Sequence, residues 1–324
     1  MTPPAAGGLA TGRWRWAELA FWLAPIACFF LFPGYRVLAS QVLIIGLFAM
    51  SLDIVLGYAG ILSLGHAAFF GLGAYTAGLL AAHGWGEPIS GLAAGIVVAA
   101  IAGFLVSWLV VRGEDLARLM VTLGLALLLY EAANRAAWLT GGVDGLSGVT
   151  VSRIFGVFSF DLAGKTAFFY SYAVLFLLFL IARRLVNSPF GLSLRGIREN
   201  RARMPAIGAP VRQRLVAAFT VGAALAGAAG ALLTQTTQFV GIDVLGFDRS
   251  ADVLIMLVLG GTGRLYGALI GTAVFMVAHD YLAGINPVYW QFWLGLAMVA
   301  FVFFARGGIL GALGALAARG GRRP

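Results

Sequence analysis

RRLVNSPFGLSLRGIRENRARMPAIGAPVRQR, residues 183–214, is the stretch that decides how this chain folds. Its 32 residues carry eight arginines and a single acid, Glu199. Everything around it is oily: 61% of the 324 residues are hydrophobic and 11% charged, against roughly 45 to 50% and 25% in soluble domains. That composition defines an integral membrane protein. An arginine at a bilayer centre costs about 2.5 to 3.5 kcal/mol on insertion scales, so a segment with eight must lie in water. Short loops rich in Arg and Lys stay on the cytoplasmic side, and the stretch therefore sets the orientation of the whole chain.

Working outward, a span needs about 20 mostly apolar residues, and candidates before the loop fall at 17–32, 37–56, 61–82, 89–111, 116–138 and 166–182. Six crossings return the chain to its starting side, which puts Arg13 and Arg15 with Arg112, Arg118 and the arginine loop. The N-terminus is predicted cytoplasmic. The basic patch and apolar run of the first 30 residues imitate a signal peptide, but no small-residue cleavage site follows, so an uncleaved first membrane helix is expected. After the loop, 215–234 and 288–305 are plain spans, while 253–278 is interrupted by Gly260-Gly261-Thr262-Gly263-Arg264. Two half-length crossings there, or one re-entrant segment, keep Arg306, Arg319, Arg322 and Arg323 cytoplasmic and place irregular backbone inside protein rather than against lipid. The prediction is an all-α polytopic membrane protein with about eight to ten transmembrane or half-membrane helices. It reads as one domain over 1–324, with 183–214 as a loop within it.

Glycine numbers 45, about 14% of the chain and about twice the usual share. Gly91, Gly95, Ala99 and Gly103 recur every fourth residue, as do Gly222, Ala226 and Gly230, and Gly267 and Gly271 add a further pair. Small residues at that spacing let helix backbones approach closely, which supplies contact where lipid offers no hydrophobic drive. Two glycine-interrupted segments stand apart, GYAGILSLGHAAFFGLGAYTAG at 57–78 and LGGTGRLYGALIGT at 259–272. Paired broken segments in two halves of a transporter point to a substrate pathway. Ser63, Gly65 and His66 in the first, and Gly260, Gly261 and Gly263 in the second, are the candidate pathway residues.

A formal charge of +9 does not indicate a nucleic-acid partner, because nearly half of the basic side chains outside the loop sit at the two ends of the chain and read as topological anchors. One cysteine, Cys28, excludes a disulfide framework, and His66, His83 and His279 lack metal-ligand spacing, so no metal or other cofactor is expected. Gly164-Lys165-Thr166 lacks the leading glycine and the context of a phosphate-binding loop. Asp53, Glu131, Asn134, Arg135, Asp252, His279 and Asp280 are further intramembrane polar residues. Glu131 and Arg135, four apart, are expected to pair with each other, and Asp53 to hydrogen-bond backbone freed by the glycine-rich turn.

Within the arginine loop, Ser188-Pro189 offers an N-cap followed by proline at the first helical position, opening a helix that runs toward Arg203. Glu199 stands four residues from both Arg195 and Arg203, a pattern expected to lace that helix with ion pairs. Pro205, Gly208 and Pro210 then break the chain into a short second element. An anchor needs only a few charges, and a folded loop of this length suits a docking platform.

The stretches VLGYAGILSLGHAAFFGLGAYTAGLL (55–80), LTGGVDGLSGV (139–149), SPFGLSLRGIRENRARMPAIGAPV (188–211), AALAGAAGALL (223–233) and VLGGTGRLYGALIGT (258–272) resemble, in order, the permease subunits of bacterial ABC importers for branched-chain amino acids. The resemblance implies a non-catalytic subunit of the inner (cytoplasmic) membrane. It implies two separate ABC ATPase subunits, a second homologous permease subunit and an extracytoplasmic solute-binding protein as partners, besides the lipid bilayer. By position it assigns Arg195, Arg198, Glu199, Asn200, Pro205 and Gly208 to the ATPase-coupling region. Pro205 stands where many relatives are acidic, and Leu127 where a glutamate is frequent. Two alternatives stay open: a permease for urea or short amides, and a secondary transporter or channel that needs no ATPase.

Overall fold

The computed structural model describes residues 16–311 apart from 114, 155–157, 162–163, 288 and 305–307. The terminal arginines, Arg13, Arg15, Arg306, Arg319, Arg322 and Arg323, lie outside the described residues. Regular structure among the described residues is helical, with two isolated bridges and no strand. In chain order the helices are α1 Trp16–Leu31, α2 Arg36–Leu52, α3 Ala67–Ala82, α4 Pro88–Val110, α5 Asp115–Arg135, the one-turn α6 Ala137–Thr140, and α7 Lys165–Val186. Beyond them come α8 Pro189–Glu199, α9 Val211–Thr237, α10 Phe247–Gly260, α11 Leu265–Ile285 and α12 Trp290–Phe304. Six stretches are long and apolar enough to cross a bilayer: Pro33–Tyr58, which contains α2, and those of α4, α5, α7, α9 and α11. With the shorter apolar helices α1, α3 and α12 they make a polytopic all-α membrane protein.

The small-residue stripes become the centre of the bundle. Along α4 the buried positions include Gly91, Gly95, Ala99 and Gly103, while Val97, Ile101 and Leu105 face outward. α9 lies against both α3 and α4. A Cβ added to Gly95 would stand 3.1 Å from the Gly73 carbonyl oxygen and 3.0 Å from Ala231 Cβ, and one on Gly227 would stand 2.7 Å from the Gly95 carbonyl. Three backbones therefore meet with almost nothing between them, which is how helices associate where lipid is as apolar as leucine. Gly267 and Gly271 do the same for α11 against α10: a Cβ on Gly271 would approach the Gly260 nitrogen to 2.6 Å.

The expected span at 61–82 is irregular over its first six residues. α2 ends in a π-helical turn, Asp53–Tyr58, after which residues 59–66 are non-helical and α3 begins only at Ala67. The Ile61 N–H donates to the Val55 carbonyl at 2.9 Å, folding the strip back beside α2. The expected break in 253–278 falls between α10 and α11, where Gly261 (φ 104°) and Gly263 (φ 78°) take backbone angles that L side chains rarely adopt, but α11, at 21 residues, is long enough to cross the bilayer whole rather than as a half-length segment.

The arginine loop also departs from its expected detail. Its helix, α8, stops at Glu199, four residues short of Arg203, because Asn200 is extended (φ −154°) and its side chain accepts from the Arg203 N–H at 3.1 Å. Ser188 does not cap that helix. Its hydroxyl donates backward to the Leu185 carbonyl at 2.6 Å. The expected pairing of Glu199 with Arg195 and Arg203 is absent among the described residues. The arginines instead turn toward the ends of the membrane helices: Arg201 donates to the Val111 carbonyl at 2.9 Å, Arg212 lies 4.5 Å over the Trp108 ring, and Arg183 pairs with Glu18 at 3.0 Å. A guanidinium that finds a carbonyl or a ring at the bundle's edge is better placed than one in an exposed ion pair worth about 0 to 1 kcal/mol. These contacts gather the start of α1 and the ends of α4 and α7 at one end of the bundle. The opposite end is closed by the segment between α6 and α7, where Ser152 donates to the Gly86 carbonyl and Leu146 to the Val240 carbonyl, both at 2.8 Å.

Candidate functional site

Two clusters flank the end of α2, one for each glycine-broken segment. The first surrounds His66, whose side chain is fully buried. Its Nε2 lies 2.9 Å from the Ser51 hydroxyl, and its ring stacks 5.7 Å from Phe48. The Ser51 hydroxyl also donates to the Phe48 carbonyl at 2.6 Å. A hydroxyl has one proton to give, so both contacts are satisfied together when His66 carries its proton on Nε2. Around this pair the unwound strip is held from two sides: the Leu64 N–H donates to Thr122 Oγ1 of α5 at 3.3 Å, and the Ala67 N–H donates to Ser250 Oγ of α10 at 2.9 Å. Gly65 presses on α5 so closely that a Cβ there would overlap the Thr122 carbonyl oxygen. Ser63 is buried as well, and its hydroxyl has no hydrogen-bond partner among the described residues.

The second cluster lies at the arginine-rich end. The buried Asp53 accepts the Gly263 N–H on Oδ1 at 2.6 Å, which is the expected bond to freed backbone, although the freed backbone belongs to the distant α10–α11 turn. Arg198 donates to the Gly57 carbonyl in the π turn, and the Arg195 guanidinium sits 5.3 Å over the Tyr58 ring. Packing here is at backbone distance: a Cβ on Gly263 would stand 2.9 Å from Arg198 Nη1, and one on Gly57 would stand 2.5 Å from the Gly263 nitrogen. π turns recur at functional positions because they leave backbone groups free to bond elsewhere. Gly260 and Gly261 complete the turn but pack on α11 rather than on His66, through Gly267. The two predicted glycine groups thus belong to separate clusters, joined through α2 and α10.

Of the predicted coupling residues, Arg195 and Arg198 reach the helix ends, Asn200 builds the turn after α8, and Glu199, Pro205 and Gly208 are exposed. Pro205 opens a 3-10 turn, Pro205–Ile207, that projects Ile207 with 76% of its surface exposed. An apolar tip in a basic loop is a signal visible in the sequence and passed over there. Thr122 and Ser250 were also missed, and their partners are too far along the chain to suggest themselves. The expected pair of Glu131 with Arg135 forms at 2.6 Å on the exposed end of α5. No group of three metal-binding side chains occurs among the described residues. A groove of about 920 Å³ runs between α1, α2 and α11, lined by apolar side chains such as Phe21, Leu43 and Val274, and it reaches none of the predicted pathway residues.

Membrane-crossing helices, two glycine-broken segments and a folded basic loop at one end define a polytopic membrane protein built around interrupted helices. Residues 36–302 match the family described as the branched-chain amino acid transport system permease component, and the chain belongs to it. It is 29% identical over 302 residues to the high-affinity branched-chain amino acid transport system permease protein LivM of Escherichia coli (strain K12), covering 84% of this chain and 69% of that one. Identity to the protein of the same name from Salmonella typhimurium is 30% over 304 residues, with the same coverage. The autoinducer 2 import system permease protein LsrC of an Enterobacter species is 29% identical over 241 residues, covering 71% and 66%. No solved structure matches.

Proposed function

We propose that this chain is a transmembrane subunit of an ABC importer that moves branched-chain or related small amino acids inward, using ATP hydrolysed by two separate ATPase subunits. The relatives named for branched-chain amino acids support the substrate class. The arginine platform supports the energy source: α8 and the Pro205–Ile207 turn form a folded, basic surface with an apolar tip, and the observation that carries the reading is Ile207, 76% exposed beside Gly208. An exposed large apolar side chain on a loop that otherwise seeks water fits insertion into a partner's groove. In this reading the chain, a single permease unit, is itself non-catalytic and needs no cofactor. The loop and both termini are cytoplasmic in the inner membrane of a bacterium, a second homologous permease completes the pathway, and a solute-binding protein delivers substrate at the opposite end.

Ile207→Asp puts a charge at the tip without touching the bundle. Co-purification of the ATPase subunits and ATP-driven leucine uptake in proteoliposomes should both fall by ~10-fold or more, the loss expected when a central apolar anchor is removed. Unchanged co-purification sinks the docking assignment. Gradient-driven uptake by the chain without any ATPase would replace it with a secondary transporter.

A further inference from the structure

The Asp53 cluster joins three elements that sequence places far apart. Arg198 comes from α8, Asp53 and Gly57 from the end of α2, and Gly263 from the α10–α11 turn. Two side-chain hydrogen bonds span the junction, beside the Arg195–Tyr58 contact and the close approach of Gly57 to Gly263. Arg198 makes a charge-assisted bond to backbone, the stronger class of hydrogen bond, and Asp53, itself fully buried, accepts a second backbone bond. Neither bond can slip at low cost: the Asp53 carboxyl is fully buried, its Oδ2 has no hydrogen-bond partner among the described residues, and removing the Gly263 donor would leave a buried polar group unsatisfied.

Beyond the junction the contacts continue. α10 is a rigid helix from Phe247 to Gly260, and near its far end Ser250 accepts the Ala67 N–H, next to His66. His66 in turn bonds Ser51, two residues before Asp53 on α2. The platform, the two breaks and the buried histidine therefore form one closed circuit of named contacts, with Gly261 and Gly263 as the backbone positions able to bend.

We propose that Arg198 and Asp53 are the positioning residues of a mechanical joint: Arg198 ties α8 to the π turn, Asp53 ties the π turn to the α10–α11 turn, and movement of the platform reaches the start of α3 through α10. The joint rests on the reading of the platform as an ATPase dock and names how that dock is connected to the pathway. It assigns Arg198 to transmission and leaves docking itself to the Ile207 tip. A displacement of α8 has to carry Gly57 with it or break the Arg198 bond, and the close approach at Gly57 and Gly263 leaves no slack in which to lose the motion.

The test uses the assembled importer in lipid nanodiscs with leucine-loaded binding protein. Arg198→Ala and Asp53→Ala should keep the ATPase subunits bound, yet lower stimulated ATP hydrolysis and leucine uptake by ~10-fold or more, within the ordinary range of coupling between sites. Arg198→Lys and Asp53→Asn, which keep a donor and an acceptor in place, should restore much of the coupling. The double alanine variant should be no worse than the worse single, the sign of one shared joint. Additive losses, stimulation within about twofold of wild type in either alanine variant, or loss of ATPase binding by Arg198→Ala each overturn the proposal. If Asp53→Ala does not fold, Arg198→Ala decides, since that side chain lies on an exposed helix and its removal leaves the buried bond of Asp53 to Gly263 intact. Failure of the underlying reading has a different signature: no ATPase subunits co-purify with the wild-type chain, or Ile207→Asp leaves their binding unchanged.

Discussion

The two glycine breaks solve the same problem in opposite ways. At residues 59–66 the chain unwinds over eight positions, and every neighbour presses in: Thr122 from α5, Ser250 from α10, Gly222 from α9, with His66 buried at the centre. At 261–264 the break is four residues long, its glycines take positive φ, and it is held by the Asp53 carboxyl on Gly263, by the close approach of Gly57 and Arg198 to Gly263, and by Gly267 against Gly260 and Gly261. The first is fixed by packing on all sides. The second is held at backbone distance around one polar bond to the buried Asp53, beside the arginine platform. A break clamped by several helices resists motion, whereas a short turn gripped beside the platform moves as a unit with what grips it, because packed elements shift only by whole rearrangements.

If that contrast holds, substitutions at the first break should act on stability, and those at the second on transport. The largest stability effect is expected from Gly65→Val, whose side chain has to displace the α5 backbone at Thr122. Overpacking costs about 1 to 3 kcal/mol and occasionally more, and thermal unfolding in detergent should show a clear fall in Tm. An unchanged Tm would mean the first break is not packed shut. Next comes Ser51→Ala, which leaves His66 Nε2 without its partner, at about 1 to 3 kcal/mol for a buried unsatisfied group. Adding His66→Leu to it should recover most of the loss, since removing both partners is far cheaper than removing one.

Gly261→Ala should cost about 1 kcal/mol for an L side chain forced to positive φ. Its effect on leucine uptake should exceed its effect on Tm, and the reverse ratio would erase the contrast between the breaks. The smallest effect belongs to Glu131→Gln. Its pair with Arg135 is 52% and 80% exposed, so screening leaves a contribution of about 0 to 1 kcal/mol and uptake should not change.

Much of this molecule was legible before any coordinates. The arginine-rich stretch had to leave the membrane, the small-residue stripes had to face other helices, and the two glycine-rich segments had to unwind. Those are local facts about charge, side-chain size and backbone freedom. The helix stop at Asn200 was missed, because an asparagine side chain that builds a turn looks no different in sequence from one on a solvated helix. The ion pairs expected of Glu199 were missed for a related reason: the spacing was right, but the arginines had carbonyls and aromatic rings at the bundle's edge to choose instead.

By itself, then, the sequence determined class, rough topology and the location of the breaks, because the free energy of transfer into lipid depends on each segment's own composition. Only the tertiary structure decided what each break is bonded to. The deciding contacts, Leu64 with Thr122, Arg198 with Gly57, Ala67 with Ser250 and Gly263 with Asp53, join residues 58, 141, 183 and 210 positions apart. No periodicity or motif relates such pairs. They exist because α2 packs against α9, α10 and α11, and that packing brings its end within reach of both the platform and the second break.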